Sequence, residues 1–129
     1  MRALICLAKE LGLHIVAEGI ETALCAGAGS GLPVVATYSA NALAAYQWPK
    51  GLRRLVIFAD NDVSGTGQAA AAKLERRARA AGLSVSVLLP QTPGEDWADV
   101  YARRDAATVE AVADSLERAR FDGLEGGAA

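Results

Sequence analysis

The sequence predicts an α/β domain: a doubly wound, mainly parallel four-stranded sheet with helices on both faces. Short apolar runs alternate with helical patterns in the order β-α-β-α-β-α-β-α, after one leading helix. The run Leu55-Val56-Ile57-Phe58-Ala59 is continuous and apolar, as a strand covered on both faces would be. Hydrophobic residues make up 52% of the 129 residues, enough for the core of one domain.

The elements follow in order. Ala3, Leu4, Leu7, Ala8 and Leu11 fall at helical spacing over residues 2–11, and Gly12 is a natural stop. His14 to Ala17 form a short buried strand ending at Glu18. Residues 21–28 form a helix, ended by Gly27, Gly29 and Gly31. Val34 to Thr37 are the second strand, and Ser39 caps a short helix over 40–47. Pro49-Lys50-Gly51 is a turn before the third strand, 55–59. Ser64 then precedes an Ala-rich helix running to Ala81 and stopped by Gly82. Val85 to Leu89 are the fourth strand, followed by a loop over 90–95. Helices are expected over 96–104 and 108–118, with a flexible tail over 120–129.

Charge and composition exclude several classes. The net charge is −2 and the pI about 5.4, whereas a self-sufficient nucleic-acid binder usually has a basic surface. Lys50, Arg53 and Arg54 cluster, as do Lys73, Arg76, Arg77 and Arg79, the second group reading as a solvated helix face. Cys6 and Cys25 lie far apart and there is one His, which argues against zinc and against a disulfide framework. No apolar run approaches a membrane span and the start lacks a signal-peptide layout, so a cytoplasmic protein is expected.

Ligands of open parallel sheets bind beyond the carboxyl ends of the strands. Glu18 ends the first strand, Asp60 and Asp62 end the third, and Asp96 and Asp99 follow the fourth. In a parallel sheet all five share one edge. Asp60 and Asp62, two residues apart in extended chain, project to one side and repel unless a cation or proton intervenes. Mg²⁺, for which Mn²⁺ can substitute, suits them, because it takes oxygen ligands and needs only one or two carboxylates beside water and phosphate oxygens. Ser64 and Gly65 lead into a helix N-terminus whose N–H groups can face a phosphate, and Gly19 permits a tight turn and close backbone approach. Plainer readings stand beside these. A D-x-D pair also serves as a solvated turn or Asx cap, a lone Glu as surface, Gly65 and Gly67 as close packing, and Asp96 as a helix cap.

Four blocks carry a resemblance: V-A-E-G-I-E-T-A at 16–23, Y-S-A-N-A-L at 38–43, F-A-D-N-D-V-S-G-T-G-Q-A-A at 58–70 and G-E-D-W-A-D-V at 94–100. Together they resemble Toprim domains of the type found in phage and plasmid primases and primase-helicases. The match runs over 12–104 within a Toprim-like domain of 1–119. The resemblance implies a Toprim/Rossmann-like fold and Mg²⁺-dependent nucleotidyl transfer on nucleic acid. Glu18, Asp60 and Asp62 match its catalytic residues, and the same three with Asp96 and Asp99 match its metal ligands. Ala98 stands where the G-x-D-W-N-D motif has Asn, so one polar contact is missing beside Asp99. The zinc and basic RNA-polymerase modules of such primases are absent from the sequence. The isolated chain is therefore expected to bind DNA weakly, to be inactive alone, and to meet nucleic acid and nucleoside triphosphates through a parent protein or partner domains.

Other readings compete. A Toprim-type nuclease, or a non-catalytic metal-binding or docking module, would carry the same acids. A topoisomerase would need a tyrosine nucleophile, and Tyr38, Tyr46 and Tyr101 read as core or rim residues. L-A-K-E-L-G-L-H-I-V-A-E-G-I-E-T at 7–22 is similar to a segment of EAL-type phosphodiesterases. That match stops at Thr22, and such a barrel needs about 250 residues. F-A-D-N-D-V-S-G-T is loosely similar to a haloacid-dehalogenase phosphatase motif, which expects its aspartate after the first strand rather than the third.

Overall fold

The computed structural model describes residues 13–24 and 34–103. The helices expected over 2–11 and 108–118 and the tail over 120–129 lie outside the described residues, as does the end of the helix expected over 21–28. The elements are β1 (Leu13–Ala17), a helical segment at 20–24, β2 (Val34–Ala36), α1 (Ala40–Ala44), β3 (Arg54–Phe58), α2 (Thr66–Ala80), β4 (Ser84–Leu88) and α3 (Trp97–Arg103).

The four strands form one sheet in the order β2-β1-β3-β4, and every pair is parallel. The doubly wound α/β expectation holds. Every residue of β3 is buried, which is why its sequence shows no polar alternation. Val16, Leu55, Ile57 and Val85 face α1 and α2 on one side, packing with Leu43, Ala71, Leu74 and Ala78. Ile15, Ala17, Val56 and Phe58 face the other side, against Ala23, Trp97 and Val100. The apolar positions 70, 71, 74 and 78 form one stripe of α2, and the small alanines let it lie close to the sheet.

Strand and helix ends differ from expectation by one to three residues. The second, third and fourth strands stop at Ala36, Phe58 and Leu88, and the 40–47 helix stops at Ala44. Two of the differences concern the site. Glu18 lies just beyond β1 rather than ending it. Ser64 does not cap α2. Gly65 takes that position at φ 72, a left-handed conformation that glycine adopts without a Cβ penalty.

Two members of the basic cluster on α2 are structural. Arg77 donates to the carbonyls of Ala44 and Tyr46 at 2.8 and 3.1 Å and lies over the Trp48 ring. Arg79 pairs with Glu75 and donates to the Val85 carbonyl. Lys73 and Arg76 are exposed, as a solvated face requires.

The chain runs from β1 outward to β2, then returns past β1 to β3 and on to β4. The winding therefore reverses between β1 and β3, the topological switch point where open sheets leave a crevice. Ala17 pairs with Phe58 in register, so Glu18 and Asp60 leave the sheet side by side at that crevice.

Candidate metal centre

Glu18, Asp60 and Asp62 lie at the switch point, and Gly67 marks where the Glu18 and Asp62 carboxylates and the Asp60 carbonyl approach one another. A Cβ built on Gly67 would lie 3.0 Å from Asp62 Oδ2, 3.2 Å from Glu18 Oε2 and 3.6 Å from the Asp60 carbonyl oxygen. Glu18 Oε2 and Asp62 Oδ2 are therefore no more than about 6.2 Å apart. Any side chain at 67 would enter the space between them.

Each acid is held differently. Asp60 Oδ1 accepts from the Thr22 hydroxyl at 2.9 Å and from the Trp97 N–H at 3.3 Å. Thr22 is buried, and its hydroxyl ties the segment after β1 to the end of β3. Trp97 also donates its indole N–H to the Ala59 carbonyl at 2.9 Å and packs edge-on against Phe58. Helix α3 is thus anchored on the strand that carries Asp60.

Asp62 takes the N-terminus of α2. Its Oδ1 accepts from Ser64 Oγ at 2.6 Å and the Gly65 N–H at 2.8 Å, and its Oδ2 accepts from the Gly67 N–H at 3.3 Å. Asp60 and Asp62 are therefore not a simple side-by-side pair on extended chain. One carboxylate is tied toward α3 and the other toward α2, because the chain turns at Asp62, where the Gly65 N–H also reaches its carbonyl at 3.3 Å. Asn61, between them, is a brace. It exchanges backbone hydrogen bonds with Gly94 and Glu95, donates its amide to the Pro90 carbonyl and accepts from Gln68.

The electrostatics separate the acids. Burial raises the Glu18 pKa, and the charges of Asp60 and Asp62 raise it further. The Ser64 hydrogen bond is the largest effect and lowers the Asp62 pKa; burial opposes it, and the N–H groups of Gly67, Gly65 and Thr66 add to the lowering. Glu18 thus holds a proton more readily than Asp62, and the two carboxyls are suited to different tasks.

The other expected residues sit as follows. Asp96 and Asp99 form a reciprocal cap on α3, the Asp99 N–H reaching Asp96 Oδ1 at 2.8 Å and the Asp96 N–H reaching Asp99 Oδ2 at 3.2 Å. The contact that joins α3 to Asp60 is made by Trp97 instead. The Gly65 N–H, expected to face a phosphate, is given to Asp62. Gly19 accepts from the Ala23 N–H and opens the 20–24 segment. A Cβ there would meet nothing nearer than 3.9 Å, so packing does not require glycine. Gly67 is the glycine that packing requires. A cavity of about 260 Å³ lies at the opposite edge of the sheet, lined by residues including Arg54, Arg79 and Ser84, away from the acids.

A divalent cation of oxygen preference fits the switch-point acids. The donors are carboxylates with one backbone carbonyl, and the missing Cβ of Gly67 leaves the space between them open. Among the described residues, no three His, Cys, Asp or Glu side chains are close enough around one point to hold an ion alone. An ion held here would need water or phosphate oxygens to complete its shell, as Mg²⁺ commonly takes. Also among the described residues, no helix is long and apolar enough to cross a membrane.

Comparison with curated proteins finds no match, and comparison with solved structures finds none. The family model described as the Toprim domain matches residues 13–119. That span takes in all four strands, Glu18 and the D-N-D loop at the crevice between β1 and β3, and with it the chain belongs to the Toprim-domain family.

Proposed function

We propose that this chain is the catalytic domain of a primase-type replication protein, an Mg²⁺-dependent nucleotidyl-transfer module that serves primer synthesis. Toprim domains bind Mg²⁺ in general and suggest metal-dependent action on nucleic acid. The observation that carries the reading is the convergence of Glu18 Oε2, Asp62 Oδ2 and the Asp60 carbonyl on Gly67 at the switch point.

In this reading Glu18, Asp60 and Asp62 hold the metal, with Asp96 and Asp99 as further ligands should α3 release its cap. When bound, Mg²⁺ neutralises phosphate charge and stabilises the attacking and leaving oxygens. The chain's own residues do the rest. Thr22 and the Trp97 N–H fix Asp60 through Oδ1, so Oδ2 is the oxygen that serves a ligand. Asp62 stays ionised because three donors hold its charged form. Glu18, when it is not a metal ligand, is the acid that would accept the proton of an attacking hydroxyl. Gly19, Ser64 and Gly65 line the path of the phosphates, with the Gly65 N–H becoming available as Asp62 turns to metal.

The test supplies the DNA affinity that an acidic chain lacks. The chain, fused to a sequence-neutral DNA-binding domain, is given a single-stranded template, labelled nucleoside triphosphates and Mg²⁺ or Mn²⁺. Labelled dinucleotides that disappear in Glu18→Gln and Asp60→Asn are expected. Shortened end-labelled template without dinucleotides would transfer the reading to a nuclease. Neither product, with metal still bound, would transfer it to a docking module.

A further inference from the structure

We infer that Tyr38 is a stacking platform for a nucleobase of the strand or nucleotide handled at the acidic site, an inference that rests on the function proposed above. Tyr38 has φ 73 and is the only positive-φ residue other than glycine among the described residues. A bulky side chain pays a steric cost in that conformation. The ring recovers nothing by burial, since Tyr38 is 75% exposed. A strained, solvent-facing aromatic is costly to the free chain and useful only to something that covers it.

The backbone beneath the ring is rigid and joined to the site. The Thr37 N–H reaches the Ala17 carbonyl at 2.9 Å and the Tyr38 N–H reaches the Glu18 carbonyl at 2.7 Å, which carries the β1–β2 ladder past the strand ends. Ser39 then caps α1 through the Ala42 N–H at 3.0 Å. Tyr38 is thus tied through its backbone to Glu18 and sits next to a capped helix, at the sheet edge that carries the acids.

The surroundings match a base rather than a phosphate. Among the described residues, the exposed large apolar side chains are Ile20, Leu24, Tyr38, Val63 and Leu89. All but Leu24 lie within five residues after a strand's carboxyl end. An acidic centre with an apolar rim repels bare phosphates until metal is present, and it offers flat contact to rings. Stacking on an aromatic is tolerant of sequence because every base has a π-face.

The experiment uses the full 129-residue chain in Mn²⁺. A thymidine oligonucleotide and an abasic strand of equal length are titrated against the wild type, Tyr38→Gly and Tyr38→Phe. Glycine suits the positive φ, so the first variant retains the fold, and phenylalanine retains the ring. The wild type and Tyr38→Phe are expected to prefer the strand with bases, with the Tyr38 ring protons of the wild type shifting upfield in NMR. Tyr38→Gly is expected to lose roughly five- to 150-fold in affinity for that strand and nothing for the abasic one. Equal affinity of the wild type for both strands, an unaffected Tyr38→Gly, or no binding of either strand overturns the inference. Mn²⁺ broadening of the Glu18, Asp60 and Asp62 amides is read in the same samples. If it persists while Tyr38 proves indifferent, the stacking role alone falls. If it is absent, the proposed metal site falls as well.

Discussion

Gly67→Ala separates the metal site from the fold. An alanine in a helix ordinarily gains about 0.5–1 kcal/mol over glycine. Here its methyl would lie 3.0 Å from Asp62 Oδ2 and 3.2 Å from Glu18 Oε2, inside ordinary contact distance, and overpacking costs about 1–3 kcal/mol when nothing can yield. The Asp62 carboxylate is held by Ser64 and by the Gly65 and Gly67 N–H groups. The Glu18 carboxylate is the far end of a longer side chain and yields first. Displacing it relieves the 3.2 Å contact but leaves the nearer one to the held Asp62 carboxylate, so the fold should lose no more than about 2 kcal/mol. The same displacement removes Glu18 from the space it shares with Asp62. Mn²⁺ affinity should then fall at least about tenfold, equivalent to about 1.4 kcal/mol. Urea unfolding with chelator gives the first quantity and titration of free Mn²⁺ by electron paramagnetic resonance gives the second. Gly65→Ala is the control. Nothing lies within 4 Å of its Cβ, but φ is +72, so it should lose stability by about 1 kcal/mol and leave metal affinity nearly unchanged. Unaltered Mn²⁺ affinity in Gly67→Ala would refute the joint use of Glu18 and Asp62.

Two further outcomes follow from the same contacts. Asp60→Asn keeps an Oδ1 acceptor for Thr22 and Trp97 while removing a charge that Glu18 feels. In chelator it should stabilise the fold by about 0.5–2 kcal/mol, with millimolar Mg²⁺ narrowing the gap because metal favours the native wild type. Equal urea midpoints in both conditions would contradict the acid cluster. His14 accepts or donates a 2.7 Å hydrogen bond with the Tyr46 hydroxyl, and burial lowers its pKa below 6.5. The unfolded chain then binds this proton first on acidification. The resulting stability loss begins as pH falls through about 6.5 and is complete below the folded pKa. A His14→Gln variant should show a flatter urea midpoint between pH 7 and pH 5, and a slope identical to wild type would count against a half-buried ring that is neutral in the fold.

The parallel sheet was legible because its signal is local: β3 is buried along its whole length, and the apolar run Leu55 to Ala59 that covers most of it announces it. The edge on which Glu18, Asp60 and Asp62 meet followed from strand direction alone. What each acid touches did not follow, since those partners are distant in sequence. Thr22 and Trp97 lie 38 and 37 residues from Asp60, and neither residue type announces a carboxylate partner. The choice between metal ligand and helix cap for Asp62, Asp96 and Asp99 depends on which N–H groups come within about 3 Å, and one-residue shifts in helix starts decide that. Ser64 and Gly65 show the point. The cap position moved by one residue, the serine hydroxyl turned to Asp62, and the glycine took the left-handed conformation. Both glycines of the turn were visible, but only the fold distinguishes Gly67, which leaves room for two carboxylates, from Gly65, which shapes the backbone.

Amide NMR of the full chain during Mn²⁺ titration tests the central claim most directly. Paramagnetic broadening should appear first at Glu18, Asp60, Asp62 and Gly67, before the amides of Asp96 and Asp99 and before any residue at the Arg54 edge of the sheet. Broadening that begins at Asp96 and Asp99, that centres elsewhere, or that never appears would contradict a metal centre at the crevice between β1 and β3.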